Sequence, residues 1–484
     1  MSAPVSGSRA SRRLPIIALV VLAVAAGVAG GRSDIAATRR PVEPVEATRL
    51  PATKAVSAAW YCPGLPAAFP TKSQTFTVSN LGASAVRAAV TVHPDDGSEP
   101  VSHIVTVPQD SVRTFDRSTL PAGSMVVEPF APDVVVSTGL ESSDGLATVP
   151  CATTAGTDWY FAAGTTVRGV SQWLVLEDPF AGDARVDITL RTDSGLQELP
   201  SLTGVDVPGR SRIVIPIHDE AVRRERVSVE VHAAVGLVVA SQTIRYSSVA
   251  GVPGVATSIG AVKPASSWWF ADGDTRAGAS EVVAIANVGP LDARVNVQAQ
   301  GGPRTIVHPV QLNVPSGGVS WVPVGGCGGA TPVCLDVPDE TGYVLLVQSD
   351  SDAPIVAQTL TRFDASGGGT AGAVSSVGSS APAPKWVIAR IRALTQPSTT
   401  IALADPGLKA ARVAVAIVHG GRVDRPASLQ RLTVPPGARF VLRIPRALRR
   451  ADAAVVITSD VPIFAEATIY TADDATRAPG IPAR

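Results

Sequence analysis

Trp159-Tyr160-Phe161-Ala162-Ala163-Gly164 opens a cassette that recurs along the chain, and its recurrence decides the fold. Further copies are anchored at Trp60, Trp268 and Trp386. About nineteen residues after each tryptophan comes a turn: Asn80-Leu81-Gly82, Asp178-Pro179-Phe180, Asn287-Val288-Gly289 and Asp405-Pro406-Gly407. Asn and Asp favour such turns because their side chains bond the backbone two residues on. An alternating segment follows, with near copies at Ala184-Arg185-Val186-Asp187-Ile188, Ala293-Arg294-Val295-Asn296-Val297 and Ala411-Arg412-Val413-Ala414-Val415. A period of two places apolar side chains on one face of a strand. Each copy then reaches a Val-Pro pair, at Val107-Pro108, Val207-Pro208, Val314-Pro315 and Val434-Pro435. The cassette is a repeated β-module.

At 484 residues the chain exceeds one hydrophobic core. Gly (43) and Pro (40) are abundant and 45% of residues are apolar, so short strands separated by turns fit better than disorder. Each repeat holds six or seven strand-like runs, which predicts an all-β chain of tandem antiparallel β-sandwich modules of immunoglobulin-like size. Each would own a core, giving beads on a string or a stiff rod; pairs of repeats fused around one core are the alternative. The spans are 60–155, 156–262, 263–384 and 385–484. Asp219 to Arg226 is the one short helix candidate. Asp364 to Ala383, rich in Gly, Ser and Ala, reads as a mobile linker at the end of the third span.

Ahead of the repeats, Arg9, Arg12 and Arg13 precede a run without charge from Leu14 to Gly31, 18 residues, the lower limit for a membrane-spanning helix. Basic residues before it hold the N-terminus in the cytoplasm and place the remainder outside. Residues 1–31 are thus read as a cytoplasmic tail and signal anchor; cleavage after Ala29-Gly30-Gly31 is the competing reading and would make the chain secreted. Residues 32–59, with Pro41, Pro44 and Pro51, form a semi-rigid stalk. The cysteines Cys62, Cys151, Cys327 and Cys334 lie beyond the anchor, and an even number in an exported chain points to disulfides. The favoured pairs are Cys62–Cys151, joining the beginning and end of the first module, and Cys327–Cys334, closing a Gly-rich loop. Zinc sites use closer Cys/His spacing than this.

The cassette Trp-aromatic-Phe-Ala-x-Gly, followed by a strand, an Asn/Asp turn and Ala-Arg-Val-x-Val, fits best at Trp159 to Gly164 and Trp268 to Gly273. With the N-terminal anchor and the high Ala, Val, Gly and Arg content, the chain resembles an uncharacterised family of membrane-anchored extracellular proteins of high-GC actinobacteria, a domain of unknown function. The resemblance implies location and organisation, and no activity. The outer repeats depart from it: Trp60 is followed by Tyr61-Cys62, and Trp386 by Val387-Ile388-Ala389.

Chemistry-bearing residues are sparse. His93, Asp95 and His103 lie near one hairpin, where a solvated Asp-Gly turn is the simpler reading than a metal. Asp272-Gly273-Asp274 with Asp292 falls short of the oxygen spacing of a Ca²⁺ loop. Glu177-Asp178 and Glu141 supply carboxylates, yet neighbours on a strand face opposite ways. No nucleophile elbow, zincin motif or phosphate loop occurs, so the expectation is no enzyme and no cofactor. Trp159-Tyr160 and Trp268-Trp269 could stack on sugars, but repetition at each module's start favours a structural anchor.

The formal charge is zero, which argues against nucleic-acid binding, but it is unevenly spread. Between Lys385 and Arg450 thirteen basic residues face only Asp405 and Asp424, an excess of eleven that the rest of the chain offsets. Arg422, Arg425, Arg439, Arg443, Arg446, Arg449 and Arg450 form the expected contact for an anionic wall polymer, the membrane surface or an acidic partner; a solvated Arg-rich surface of a high-GC genome, or docking on the acidic modules of the same chain, is the alternative. The expected function is a non-enzymatic, membrane-anchored scaffold or adhesion array outside the cell. The rival is a carbohydrate-binding or carbohydrate-active protein using an inter-module groove.

Overall fold

The segment Ala184–Thr192 buries Ala184, Val186, Ile188 and Leu190 and turns Arg185 to solvent, as a strand with one face on a core must. The same alternation runs through Val86–Pro94, Ala293–Gln300 and Ala411–His419. The computed structural model describes residues 46–50, 58–66, 69, 71–301, 307–328, 333–339, 342–350, 353–365, 371–391, 399–442, 444, 453–470 and 474–483. The expected anchor at 14–31 and most of the stalk lie outside these residues.

Among the described residues the structure is almost entirely β, in antiparallel sheets. The first repeat comprises β1 (Trp60–Cys62), β2 (Thr71–Asn80), β3 (Val86–Pro94), β4 (Val101–Val107), β5 (Ser111–Asp116), β6 (Gly123–Pro129), β7 (Val134–Ser142) and β8 (Leu146–Pro150). They form two sheets, ordered β1-β6-β3-β4 and β5-β2-β7-β8. The second contains β9 (Asp158–Phe161), β10 (Val170–Asp178), β11 (Ala184–Thr192), β12 (Gly195–Glu198), β13 (Val205–Val207), β14 (Ser211–Pro216), β15 (Val227–Val235), β16 (Val239–Tyr246) and β17 (Gly254–Ile259). The third contains β18 (Ser267–Asp274), β19 (Ala279–Asn287), β20 (Ala293–Gln300), β21 (Val310–Val314), β22 (Val319–Val324), β23 (Gly342–Ser349), β24 (Ile355–Asp364) and β25 (Ala371–Val377). The fourth contains β26 (Ala383–Ile391), β27 (Thr399–Ala404), β28 (Ala411–His419), β29 (Arg422–Asp424), β30 (Leu432–Val434), β31 (Arg439–Leu442), β32 (Ala453–Tyr470), β33 (Ala475–Pro479) and β34 (Ile481–Ala483).

In the second and third repeats the order of the first returns: β9-β15-β11-β12 with β14-β10-β16-β17, then β18-β23-β20-β21 with β22-β19-β24-β25. In the fourth, the long β32 serves both sheets, pairing β26 and β28 with its first half and β27 and β33 with its second. Within each repeat the two sheets contribute to a common core. In the first, Trp60, Val90 and Met125 from one sheet meet Phe76, Val78 and Val136 from the other.

The helix sits slightly earlier than the sequence places it. One turn, Ile217–Glu220, is helical and buries Ile217, while Ala221 already leaves the helical region. The stretch read as a linker holds β25, which pairs along its length with β24. Its small residues are explained by what they touch. The strands β8, β17, β25 and β33, one from each repeat, contact one another in succession, and β33 returns to β8. A Cβ on Gly254 would lie 2.6 Å from the backbone nitrogen of Ala373, and one on Gly372 would clash with Asp474 Oδ1. Glycine permits that approach.

The expected row of separate beads therefore gives way to a closed circuit of contacts within Val45–Arg484, which forms one compact unit. Apolar residues cross every junction. Leu65, Phe69 and Leu140 pack with Trp173 and Val255. Ile244, Tyr246 and Ala256 join the core containing Trp268 and Phe270. Ala271 and Val344 join the core around Trp386, and Val387, Ala389, Ile481 and Ala483 enter the core around Trp60. Cores merge because apolar side chains of inner strands, such as Trp173 on β10 and Tyr246 on β16, pack on residues of the neighbouring repeat.

Candidate functional site: the repeat anchors, the junctions and the basic edge

The repeated motif residues form one recurrent geometry. Asn80, Asp178, Asn287 and Asp405 are all buried, and Oδ1 of each accepts the backbone N–H two residues on, at 3.0, 2.8, 3.0 and 2.8 Å. These are Asx turns between the two sheets of a repeat. The anchoring tryptophans are buried beside them. Indole nitrogens of Trp159, Trp268 and Trp386 donate to the carbonyl oxygens of Val238, Ile355 and Ile463 at 2.8, 2.8 and 2.7 Å. Ile355 is the cross-strand partner of Asn287, so tryptophan and turn are pinned to one point of one strand. Trp60 is equally buried, and its indole nitrogen has no hydrogen-bond partner among the described residues. A stacking platform would need exposed rings; Trp159 and Trp268 are 0% and 2% exposed, and the half-buried Trp269 is stacked on Phe464 at 5.1 Å.

Two disulfides are present, Cys62–Cys151 and Cys327–Cys334. The first ties β1 to the residue after β8, and stalk residues lie across it. Thr48 Oγ1 donates to the Cys151 carbonyl at 3.1 Å, Thr153 N donates to the Ala47 carbonyl at 2.9 Å, and Leu50 N donates to the Pro482 carbonyl at 3.0 Å. The stalk end thus joins the first repeat to the chain's last strand. Glu46 beside it accepts from Ser380 N and Oγ, both at 3.1 Å, and burial pushes its carboxyl up. Glu46 also lines a pocket with Thr257, Ser258, Ser375 and Ser376.

The carboxylates singled out in the sequence part company. Glu177 faces the junction of the first and second repeats, near the guanidinium groups of Arg212 and Arg117 and the Ser124 hydroxyl. Burial outweighs those cations and pushes its carboxyl up to about 8. Arg212 also forms a bidentate pair with Asp95, at 2.7 and 2.8 Å. Asp178 turns the other way, into its Asx turn, where burial raises it to about 6. Glu141 is exposed and lines a separate pocket between the first and fourth repeats, with Ser73, Thr75, Thr114, Thr148 and Arg390.

The proposed cation ligands do not converge. Asp95 is held by Arg212, His93 is buried, and His103 sits opposite Val90 on exposed β4. Asp272 is paired with Arg439 and accepts Thr468 Oγ1 at 2.6 Å; Asp274 pairs with Arg276. Asp292 caps a turn, accepting from Ser316 N at 3.0 Å and Asn313 Nδ2 at 3.1 Å, and those bonds hold its carboxyl down. Among the described residues no three His, Cys, Asp or Glu side chains group as a metal site.

Arg439 is the basic residue whose expected role changes. It points into the junction with the third repeat and is spent on Asp272, inside a buried network that the sequence does not announce. There the side chain of Arg477, 1% exposed, lies 3.7 Å from Glu466 and donates to the Asp272 carbonyl at 2.9 Å. Glu281 beside it accepts from Tyr343 at 2.6 Å and Thr361 at 2.7 Å. Lys385 reaches Asp133 of the first repeat at 3.8 Å. Lys409, Arg412, Arg422, Arg425 and Arg431 are exposed on and beside β28, β29 and β30. Arg443, Arg446, Arg449 and Arg450 lie outside the described residues. Nothing in one repeat's sequence could reveal the network, because the bonds that join its two halves span 167 to 205 positions.

Residues 125–255, from β6 of the first repeat into β17 of the second, match a family of unknown function, DUF5719. No curated protein sequence matches the chain. Among solved structures, the crystal structure of a tetra-tandem repeat in the extending region of a large adhesion protein aligns with 88% of this chain and 99% of that one, at 13% identity and a TM-score of 0.11.

Proposed function

We propose that the chain is a non-enzymatic cell-envelope protein, tethered outside the membrane by residues 14–31. Its body of four immunoglobulin-like sandwiches acts as a scaffold or adhesion array. The observation that carries this reading is the basic edge of the fourth repeat. Lys409, Arg412, Arg422, Arg425 and Arg431 remain exposed there after Lys385 and Arg439 have been used on neighbouring repeats. Such an edge attracts an anionic wall polymer. The disulfides support an oxidising compartment.

The test is retention of the whole chain on purified cell wall across a salt series. The fourth repeat alone would be a poor probe, because Val387, Ala389, Ile481 and Ala483 would lose the core they enter. Retention should fall with salt, and Lys409→Glu combined with Arg412→Glu, Arg422→Glu and Arg425→Glu should abolish it. Salt-insensitive retention, equal in the variant, would sink the proposal.

A second reading, carbohydrate binding, is favoured by the pocket between the first and fourth repeats, whose hydroxyls, Glu141 and Arg390 suit a polyol. Glycan-array binding lost in Glu141→Gln and kept in the basic-edge variant would favour it.

A further inference from the structure

Each repeat has an outer sheet edge farthest from its tryptophan strand, and these edges differ in how they are guarded. In the second repeat the edge is broken into β12 and β13 by a 3₁₀ turn at Pro200–Leu202, and Asp206 lies on it. In the fourth it is broken into β29 and β30 by the turn Ala427–Leu429, with Arg422 and Asp424 on it. In the third, β21 has 5 residues, and Asn313 on it is held by Asp292. Short strands, charges and breaks are the usual protections against edge pairing.

The first repeat has none of these. Its edge, β4, is 7 residues long, Val101-Ser102-His103-Ile104-Val105-Thr106-Val107, without Lys, Arg, Asp, Glu, Gly or Pro. Among the described residues it pairs only with β3, and Ser102, His103, Ile104 and Thr106 are exposed, Ile104 to 50%. β5 on the facing sheet is by contrast covered by the fourth repeat, where Val112 packs against Val418 and Ala454.

We propose that β4 is a self-pairing edge, through which two copies of this chain join antiparallel about a two-fold axis at Ile104. The occupant follows from the sequence of the strand, which is nearly palindromic in residue character. Antiparallel pairing centred on Ile104 sets Val101 against Val107, Ser102 against Thr106, His103 against Val105 and Ile104 against itself. β-Branched and hydroxyl pairs of this kind stabilise sheets, and no like charges are opposed. Pro100 and Pro108 flank the strand symmetrically, so the ladder ends at the same register on both chains. A two-fold contact is self-complementary and closes, giving a dimer rather than a fibre. One strand pair is a small interface, so the dimer is weak and concentration-dependent.

The chain offers a clean test, since all its cysteines are in disulfides. In the full chain, extracted in mild detergent or in native membranes, Ile104→Cys brings its own thiol against itself across the axis. Mild oxidation should yield an intermolecular disulfide about tenfold faster than Ser102→Cys, whose partner position is Thr106, or Leu312→Cys on β21. Sedimentation of the full chain should show a reversible dimer that Ile104→Lys removes while thermal unfolding is unchanged. Equal crosslinking at the three positions, faster crosslinking at Leu312→Cys, or a monomer at every concentration would overturn the proposal. So would a wild-type dimer that Ile104→Lys leaves intact.

Discussion

Asn80 donates from its amide nitrogen to the carbonyl oxygen of Val107 at 3.2 Å, and Asn287 does the same to Val314 at 2.9 Å. In the second and fourth repeats the equivalent turn residues are Asp178 and Asp405, and Val207 and Val434 hold the matching strand positions. A carboxylate cannot donate, and the second oxygen of each aspartate has no hydrogen-bond partner among the described residues. Asp178→Asn and Asp405→Asn should each stabilise the fold by about 1 kcal/mol. For Asp178, whose folded carboxyl is raised to about 6, stability is lost as pH rises through that value. The gain should therefore be larger at pH well above 6 than below the unfolded value; thermal unfolding of wild type and variants at both ends checks it.

The indole hydrogen bonds give a comparison between repeats. Trp159→Phe, Trp268→Phe and Trp386→Phe each remove packing and a buried indole hydrogen bond, although the Val238 and Ile355 carbonyls keep backbone donors in Gly156 and Ala265. Trp60→Phe removes packing alone. The first three should cost about 1 kcal/mol more than the last, measured by denaturant unfolding.

Glu177 makes the junction of the first two repeats pH-dependent. Its folded carboxyl is raised to about 8 from 4.5, so the folded state binds the proton more tightly than the unfolded one. Its contribution is fully present below the unfolded value and is lost as pH rises through about 8. Glu177→Gln should leave the melting temperature near pH 5 almost unchanged and raise it relative to wild type near pH 9. A parallel pair of pH profiles would refute this.

Arg477 is enclosed by Glu466, Glu281 and Asp272, whose charges hold its guanidinium firmly protonated despite burial. Arg477→Met leaves those acids without their shared cation and should destabilise the fold by about 3–5 kcal/mol. Adding Glu281→Gln should recover part of the loss, which a double-mutant cycle would read as coupling between the third and fourth repeats.

Much of this protein is legible in its residues alone. Alternation at Ala184–Thr192, the Asx turns, the strand class and the cysteine partners follow from interactions within one repeat, and four copies of the cassette reinforce one another. The segment around β25 reads as a linker because glycine and serine are ambiguous: they serve flexible linkers and also the closest approach of two strands. Arg439 reads as a surface contact because charge counts do not say which way a side chain points.

The sequence by itself determined local matters: β-structure, repeat number, turn chemistry and the residues that plug each core, since backbone periodicity and side-chain size act over a few positions. Only the tertiary structure decided that the repeats close on one another, that Glu177 and Arg477 are buried at junctions, and which basic residues remain outside. Those outcomes depend on contacts between residues hundreds of positions apart. There desolvation is shared between surfaces that no single repeat contains.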